Sequence, residues 1–567
     1  MGHQQSFAND DSDVVAGARG GIANRSLHEH TERLAPQMYE VASGVWCLVG
    51  NGLSNQTFIQ GPDGIIAIDT GESIEEMKSA LEHLRLVSDQ PVVAVVYTHF
   101  HYVNGTTALT EKEPINAIWG HERISYNLER SATEIAPAYS RGLIEQFGIQ
   151  MPEDGPDGLV NVGLGLAYRM AHHAPSTPGH VPADHTFSED GSVVVAGLEM
   201  IVTHAPSDAD DSVTLYFPEL KVAVQNLVWP ALFNIFAIRG EEYRDPRVLI
   251  KGIDHLRSLD TEHLLATHGP PLSGMEEIQR RVTAYRDSIQ FLWDQTVRWA
   301  NRGATGPELA HRIQLPAVYD EDWLTKQHYG LAEHHVRQIR SGLFGFFDGD
   351  PIGLLPLDSS EEAERMISAM GGPEQVRTLC NEAIQGSQND LRWAISLASR
   401  LVHRSEASEI DRNLLATALR AAAQRTISSN VRNWCITRAL DLEGHIDGAR
   451  LNTHRFSRRQ VERWSTNAAV SILRVLIDPD RLTDIDFHLA IELDGERTGI
   501  HFRNHIACPT DGQAGEAVLS GRRATWNQIL TGSADLQSAI SSGDMGVKGD
   551  SNAVRKVLQA VDHPGFR

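Results

Sequence analysis

Short runs of β-branched and aromatic residues characterise the beginning of the chain. Residues 45–49, 56–59 and 65–69 each have the length and composition of a strand. Asp63-Gly64, between the second and third runs, is typical of a hairpin turn. This pattern predicts three neighbouring strands within the first 70 residues.

A helix and a buried strand are predicted next. Ser73 and Glu76 resemble a capping box, so we expect an amphipathic helix that extends to about Leu86. Residues 91–97 form a continuous apolar run, which is typical of a strand covered on both faces. Strands, a helix and a buried strand in this order predict a layered α/β domain with its active site in loops after strand ends.

A second strand-rich stretch precedes a helical region. Strands are predicted at residues 192–195, 199–202, 213–217, 221–224 and 263–268. Beyond Gly274 the apolar period becomes helical, and one stripe contains Ile278, Val282, Tyr285, Ile289, Leu292 and Trp299.

The remainder of the chain divides into a helical part and a mixed part. Residues 351–358 contain proline and glycine and are predicted to form a linker. Residues 359 to about 442 are dense in alanine, arginine and leucine at helical spacing, which predicts paired helices. After the basic stretch 450–463, alternating residues at 486–491 predict a strand and residues 534–540 a helix, as in a small α+β domain.

Composition narrows the class of protein. A chain of 567 residues is long enough for three or four domains. Its net charge of −24 argues against nucleic-acid binding and against docking on anionic membranes. Its 4 cysteines lack a metal-binding or disulfide pattern, and the sequence shows neither a signal core nor a membrane span. We therefore expect a cytoplasmic protein without integral membrane contact.

The most informative segment follows the buried strand. His99 and His101 are two residues apart where the strand enters a loop that contains Gly105. Such a pair can turn both imidazoles toward one metal ion. The pair alone is weak evidence, because 26 histidines make chance pairs common.

The surrounding motifs resemble the metallo-β-lactamase superfamily and, more narrowly, its alkylsulfatase branch. The broad resemblance depends on Thr98-His99-Phe100-His101, on Ile68-Asp69-Thr70-Gly71 and on Ala266-Thr267-His268. The narrower resemblance depends on residues 53–57, 233–240 and 345–351, on Tyr329-Gly330 with His334, and on residues 522–526 and 530–532.

This resemblance implies a fold, a domain order and a homodimer. We expect a flexible segment at residues 1–33, an αββα metallo-β-lactamase sandwich at 34–356, an all-α dimerisation domain at 357–448, and a small α+β sterol-carrier-like domain at 449–567. The last domain is expected either to bind a lipid chain or to help assemble the dimer.

The metal loop departs from the family pattern. The family supplies Asp and His for a second metal where this chain has Val103 and Asn104, and Asn226 stands at the position of the bridging carboxylate. The resemblance leaves His99, His101 and Asp208 for one ion, and His268 as the one remaining ligand of the second. Asp210, Asp211 and His204 are alternatives to Asp208. We therefore expect one divalent ion per chain, zinc or iron.

The resemblance also implies a substrate site. Asn234 and Arg239 match the residues that hold sulfate oxygens, and His334 is expected beside them; the alternative is a structural Arg239 paired with a neighbour such as Asp245. Tyr102 and Tyr329 are either catalytic phenols near the ion or packing residues.

Three classes of function remain at this stage. The first is a metal-dependent hydrolase that resembles alkylsulfatases and acts on a substrate with an anionic head group and an alkyl chain. The second is a mononuclear non-haem iron oxygenase or lyase on the same scaffold, because two histidines and one carboxylate also suit iron. The third is a metal-free binding or scaffold protein. We disfavour this class because, without a metal ion, His99, His101 and His268 have no shared function.

Overall fold

The computed structural model describes residues 3–566, which divide into two compact units. The first unit contains the residues up to Ser125 together with Gly142–Asp447. The second contains Tyr126–Arg141 and the residues from Gly448 onward. Within residues 3–566, no helix is long and apolar enough to cross a bilayer.

Two large sheets and one small sheet form the β structure of the first unit. The small sheet pairs β1 (Val14–Ala16) with β2 (Ile22–Asn24). The seven-stranded sheet follows the chain order β3 (Gln37–Ala42), β4 (Val45–Val49), β5 (Gln56–Gly61), β6 (Gly64–Ile68), β7 (Val92–Val96), β8 (Ala117–His121) and β9 (His185–Phe187). The six-stranded sheet likewise contains β10 (Gly191–Val195), β11 (Leu198–His204), β12 (Val213–Phe217), β13 (Val222–Gln225), β14 (His263–Ala266) and β15 (Leu272–Ser273).

The two large sheets share one apolar core. Val45, Ile66 and Val96 from the first sheet pack with Val202 and Leu215 from the second, and all five are buried. Helices cover the outer faces, which confirms the predicted αββα layers. The helices between β2 and residue 354 are, in chain order, α1 (Arg25–Arg33), α2 (Ile74–Leu84), α3 (Thr106–Thr110), α4 (Ile124–Ala132), α5 (Ala136–Phe147), α6 (Pro246–Ser258), α7 (Met275–Ala300), α8 (Gly306–Arg312), α9 (Ala332–Phe344) and α10 (Pro351–Leu354). Most of α4 and the first half of α5 belong to the second unit.

Two local expectations need correction. Ser73 caps α2 through the Glu76 amide, but the Glu76 carboxylate accepts from Gln56 Nε2 at 2.8 Å and from the Glu72 amide, so no reciprocal capping box forms. Along α7 the predicted stripe is buried except for Trp299, which is half-exposed.

The N-terminal segment, expected to be flexible, instead contains β1, β2 and α1. Leu27 and His30 on α1 are buried, and His30 Nε2 lies 2.7 Å from the Gly163 carbonyl oxygen. The predicted linker at 351–358 begins with the one-turn helix α10, where Asp350 caps the Ile352 amide. The N-terminal segment and the 351–358 segment are therefore ordered, because their helices are held by hydrogen bonds such as these.

Five helices form a second apolar core in the first unit. They are α11 (Ser359–Ala369), α12 (Pro373–Ile384), α13 (Gln388–His403), α14 (Glu409–Arg425) and α15 (Ser429–Leu442). Leu397, Leu419 and Ile436 are buried at its centre. Leu415 is also buried here, whereas the Trp393 side chain on α13 is 49% exposed.

The second unit contains a five-stranded sheet covered by helices. The sheet order is β18-β17-β16-β19-β20, with β16 (Asp486–Leu493), β17 (Glu496–Arg503), β18 (Ile506–Thr510), β19 (Ala517–Gly521) and β20 (Met545–Lys548). The helices after Gly448 are α16 (Arg458–Val461), α17 (Thr466–Ser471), α18 (Arg523–Leu530), α19 (Leu536–Ser542) and α20 (Ser551–Leu558). Trp526 and Phe502 are fully buried in its core, and this α+β architecture confirms the expected class.

Strand direction places several loops of the first unit at one edge. β6, β7 and β8 are parallel, as are β13 and β14, so the segments that follow these strands leave the same edge of each sheet. The His99 loop follows β7, Asn226 follows β13 directly, and His268 follows β14. Asp208 lies in the loop between β11 and β12.

Candidate metal centre

His99, His101 and Asp208 form a compact group in which one possible ligand atom of each residue lies within 4.8 Å of the others. His101 Nδ1 is 3.1 Å from Asp208 Oδ2, and His99 Nε2 is 3.7 Å from Asp208 Oδ1. His99 is extended at the end of the strand, and His101 lies in the one-turn helix Phe100–Tyr102, so the two rings meet nearly at right angles with 5.0 Å between centroids. Of the alternative third ligands, Asp208 is the one in this group.

The two histidines differ in protonation. Burial lowers the pKa of His99 to about 3, so its ring is neutral near pH 7. Burial also opposes a charge on His101, but the carboxylates of Asp208 and Glu241 outweigh it and raise the pKa of His101 to about 9. Burial works against ionisation of Asp208 too, yet the neighbouring histidines hold the pKa of Asp208 well below its usual range. The ionised Asp208 carboxylate therefore favours a positive charge beside it, and protonated His101 provides that charge.

Two imidazoles and a carboxylate fit a divalent metal ion, and the superfamily resemblance implies such an ion. His99 Nδ1 lies 2.8 Å from Thr98 Oγ1, and Thr98 is itself bonded to the buried carboxylate of Asp69. A ligand histidine whose other nitrogen is held in this way keeps its ring orientation when the ion binds.

Asn226 is turned so that it cannot bridge two cations. The Trp229 indole donates to Asn226 Oδ1 at 3.0 Å, which fixes the carbonyl oxygen of the amide. The Asn226 NH₂ group then faces Asp208 Oδ1 at 2.6 Å and His99 Nε2 at 3.4 Å. In this orientation the NH₂ group donates to the Asp208 carboxylate and offers no lone pair to a metal. Val103, at the position of another lost ligand, is fully buried.

His268 is paired with Tyr102 and is not one of the three clustered ligands. Its Nδ1 is 3.0 Å from the Leu53 carbonyl oxygen, which places a proton on that nitrogen. Its Nε2 is then an acceptor for the Tyr102 hydroxyl at 3.3 Å. Burial lowers the pKa of His268 to about 4 and raises that of Tyr102 well above its usual value, so both groups are neutral.

The alternatives to Asp208 have other environments. His204 is exposed, and its Nε2 lies 2.7 Å from the Asp210 carbonyl oxygen. The Asp210 carboxylate is paired with Arg123 at 2.6 Å. Asp211 is fully buried and lies outside the clustered group.

Arg239 and Asn234 are both buried, and Glu241 lies between Arg239 and the metal centre. Arg239 Nε donates to Glu241 Oε1 at 2.8 Å, and Glu241 Oε1 is also 3.8 Å from His101 Nε2. Asp245, the neighbour considered for Arg239, is paired with Arg247 instead. Asn234 is fully buried, and among residues 3–566 neither polar atom of its amide has a hydrogen-bond partner. A buried amide without partners is costly unless a ligand supplies them.

Sequence reasoning missed Glu241 and Arg244. Arg244 is buried, and its Nη1 donates to the Asn234 carbonyl oxygen at 2.6 Å, but its Nε and Nη2 lack partners within the described part of the chain. Burial, then the proximity of Arg239, lowers the pKa of Arg244. The sequence feature that could have indicated these two residues is the charged run from Arg239 to Arg247. Such a run by itself predicts a solvent-exposed loop, not a buried site.

The two remaining predicted residues, Tyr329 and His334, have different surroundings. Tyr329 is buried, accepts from Gln146 Nε2 at 2.9 Å and packs against Trp229. His334 is partly exposed, packs edge-on against Phe236 and lies 3.6 Å from a Glu333 carboxylate oxygen. His334 and Phe236 line a cavity of about 540 Å³ whose other walls are mostly apolar and include Ile238, Leu391, Leu419 and Trp434.

Comparison with protein families matches three parts of the chain. The metallo-beta-lactamase superfamily matches residues 49–224. A family described as alkyl sulfatase dimerisation matches residues 305–445, and the SCP-2 sterol transfer family matches residues 473–562.

The curated relatives are sulfatases. A linear primary-alkylsulfatase from Pseudomonas sp. is 29% identical over 527 residues, which cover 89% of this chain and 98% of that protein. An alkyl/aryl-sulfatase from Saccharomyces cerevisiae is 24% identical over 549 residues, covering 93% of this chain and 82% of that protein.

The fold is also similar to that of a solved structure over nearly its whole length. The stereoselective inverting sec-alkylsulfatase from Pseudomonas sp. superposes with a TM-score of 0.85 at 23% identity, covering 99% of this chain and 92% of that one. Its similarity supports the architecture described above.

Proposed function

We propose that the chain is a metal-dependent hydrolase of alkyl sulfate esters, because its parts match the metallo-β-lactamase superfamily, an alkyl sulfatase dimerisation family and the SCP-2 sterol transfer family in that order. The observation that carries the proposal is a cation site, His99, His101 and Asp208, next to two buried arginines and an unpartnered amide. The relatives named above are sulfatases, so they favour the hydrolase over the iron oxygenase or lyase.

We propose one divalent ion at this centre, held by His99, His101 and Asp208, with zinc as the metal. A bound zinc ion lowers the pKa of a coordinated water and acts as a Lewis acid. Support for a single ion comes from Val103, which has no donor atom, and from Asn226, whose amide oxygen is already bonded to Trp229. His268 is bonded to Tyr102 and Leu53 and offers a second ion at most one histidine ligand.

Three side chains are proposed to hold the sulfate group. Arg239 and Arg244 provide two guanidinium groups in a buried site, and Asn234 provides an amide donor. A sulfate has several oxygens and needs several donors once it leaves water, so the unpaired Arg244 nitrogens match that requirement. Glu241 orients Arg239 and balances part of its charge.

Tyr102 is proposed to deliver a proton to the departing alcohol oxygen. Its hydroxyl is neutral and therefore carries a proton to give, and His268, a neutral acceptor, orients this hydroxyl. The transfer breaks the O–H bond of Tyr102 and leaves a phenolate, and the proton that the attacking water releases restores the phenol. Burial raises the pKa of Tyr329, although Arg239 opposes the rise, so its hydroxyl stays protonated. Tyr329 is therefore proposed to act as a catalytic phenol.

The apolar tail of the substrate is proposed to occupy the 540 Å³ cavity. Phe236 and Ile238 line this cavity and belong to the segment that carries Asn234 and Arg239. His334, at the cavity wall, is proposed to contact the substrate between head and tail. An alkyl sulfate has an anionic head group and an apolar chain. It therefore needs a polar site for the head group and an apolar cavity for the chain.

The domain assignment is proposed as residues 34–356 for catalysis, 357–448 for dimerisation and 449–567 for the sterol-carrier-like part, with residues 1–33 preceding them. A match to an alkyl sulfatase dimerisation family suggests a homodimer.

The test is hydrolysis of a medium-chain alkyl sulfate with and without oxygen. We expect equal sulfate release in both conditions, loss of release after chelation, and recovery with zinc. Activity that requires dioxygen and iron would contradict the proposal. Release that survives complete metal removal would contradict it as well.

A further inference from the structure

A second group of metal-binding side chains lies in the second unit, far along the chain from the centre described above. It consists of Asp486, His488 and His501, one ligand atom of each lying within 4.8 Å of the others. Asp486 and His488 are on β16, and His501 is on the neighbouring β17. Neither the family matches nor the proposed sulfatase reaction gives these residues a role.

Strand register places the three side chains on one face. His488 pairs directly with His501 across the antiparallel ladder, and Asp486 precedes His488 by two positions. The alternate residues Phe487 and Leu489 are buried in the core, so the three polar side chains are on the opposite, solvent-facing side. Directly paired residues have Cβ atoms about 5 Å apart, a spacing that lets two imidazoles share one ion.

The side chains are already close to a ligand arrangement. The two imidazole rings are stacked with centroids 3.6 Å apart and an interplanar angle of 19°. His501 Nε2 lies 2.6 Å from Asp486 Oδ1. Ligand atoms on one tetrahedral zinc are roughly 3.3 Å apart. Because the stacked rings are nearly parallel, both imidazoles must rotate to turn their in-plane lone pairs toward one ion. His488 and His501 are partly exposed and Asp486 is exposed, which leaves room for these rotations and for water at the open position.

We propose that Asp486, His488 and His501 bind a divalent transition-metal ion of the zinc class. Two imidazole nitrogens and one carboxylate oxygen favour zinc or copper over calcium or magnesium, which prefer all-oxygen sites. The ion joins β16 to β17 through their side chains and so stabilises the folded second unit by mass action.

Metal content of the full-length chain tests this site. Chelator-treated protein is equilibrated with micromolar Zn²⁺, and bound zinc is measured by elemental analysis. We expect the wild-type chain to bind one more ion than the His488→Ala and His501→Ala variants. In a His99→Ala background, which removes the central site, one ion is expected to remain, with its affinity reduced at least tenfold by His488→Ala.

Two controls separate the site from general binding to surface histidines. His505→Asn changes an exposed histidine outside the group and keeps a residue that tolerates its positive φ, so zinc binding should not change. His445→Ala changes an exposed histidine of the first unit and should also leave binding intact.

Thermal unfolding gives a second readout. Zinc should raise the unfolding temperature of the second unit in the wild-type chain and not in His488→Ala, whose sulfatase activity should match that of the wild type. Equal zinc content in the wild type and both histidine variants, or loss of binding in His505→Asn, would overturn the proposal.

Discussion

At the scale of single residues, the candidate site combines positions that local sequence predicts with positions that only the fold brings together. His99 and His101 could be predicted because both follow one buried strand at short spacing. Asp208 was found through resemblance, since the loop between β11 and β12 reaches the histidines only after two sheets have packed. Arg244 was missed because its burial depends on how the segment after β13 folds back, which periodicity does not encode.

Arg239 is expected to bind the sulfate group through its planar fork. Arg239→Lys keeps the charge and loses the bidentate geometry, so we expect KM for an alkyl sulfate to rise by an amount equivalent to about 1–3 kcal/mol. Steady-state kinetics provide the measurement. The control is Arg247→Lys, an exposed arginine paired with Asp245, which should leave KM unchanged. Unchanged kinetics in both variants would assign Arg239 a structural role.

Arg244 provides a separate test of the anion site. Arg244→Met retains much of the side-chain volume and the contact with Trp229 but removes the unpaired donors. We expect weaker binding of inorganic sulfate, measured as product inhibition, together with a higher KM. A variant that folds normally and shows the same sulfate inhibition as the wild type would exclude Arg244 from the anion site.

At the scale of secondary-structure elements, apolar periodicity was sufficient to predict most strands and α7. The hydrogen bonds at helix ends could not be predicted in the same way, because they depend on tertiary contacts. Glu76 on α2 shows the difference, because its carboxylate turns to Gln56 on β5 instead of completing the local box. The ordered structure of the N-terminal segment could not be predicted from local sequence either. Its helix α1 is stabilised by contacts with distant residues such as Asn161, whose amide donates to the Leu27 carbonyl oxygen.

Asp411 in α14 is expected to make the helical core sensitive to acid. Burial opposes its ionisation, but Arg377 and the cap residue Ser408 lower the pKa of Asp411 to about 2. A folded-state pKa below the unfolded value stabilises the protein above about pH 4 and loses that contribution as pH falls toward 2. Asp411→Asn should therefore reduce stability by about 2 kcal/mol at neutral pH and by less near pH 2.

Native-state hydrogen exchange of α14 amides measures this difference. The matched control is Asp390→Asn, which changes the equivalent cap position of α13. This carboxylate is exposed and, among residues 3–566, is bonded to Ser387 alone. Its effect should be smaller at every pH. An equal effect of the two substitutions would contradict the role given to the Arg377 ion pair.

At the scale of the whole molecule, the exposed apolar residues between α9 and α11 are expected to form part of a dimer interface. Phe346 is 81% exposed, Leu355 80% and Ile352 70%, and Trp393 on α13 is also exposed. Large apolar side chains exposed to this extent within one part of the chain favour an interface between subunits. Leu415, in the helical domain expected to dimerise, is buried within the chain.

Sedimentation at micromolar concentration should give twice the chain mass of 62.5 kDa. Phe346→Asp with Leu355→Asp should shift the mass toward one chain, because a charge at each position opposes burial. Val194→Asp changes an equally exposed residue on β10 and should leave the dimer intact. A wild-type mass of one chain would contradict the dimer.

The proposed sulfatase chemistry depends on a single ion at the central metal centre. Because the site in the second unit is proposed to bind zinc too, the decisive measurement is elemental analysis of the full-length His488→Ala chain, with and without His99→Ala. We predict one ion per His488→Ala chain and loss of both that ion and the sulfatase activity when His99→Ala is added. Two ions per His488→Ala chain, both lost with His99→Ala, would mean a paired site and would contradict the account.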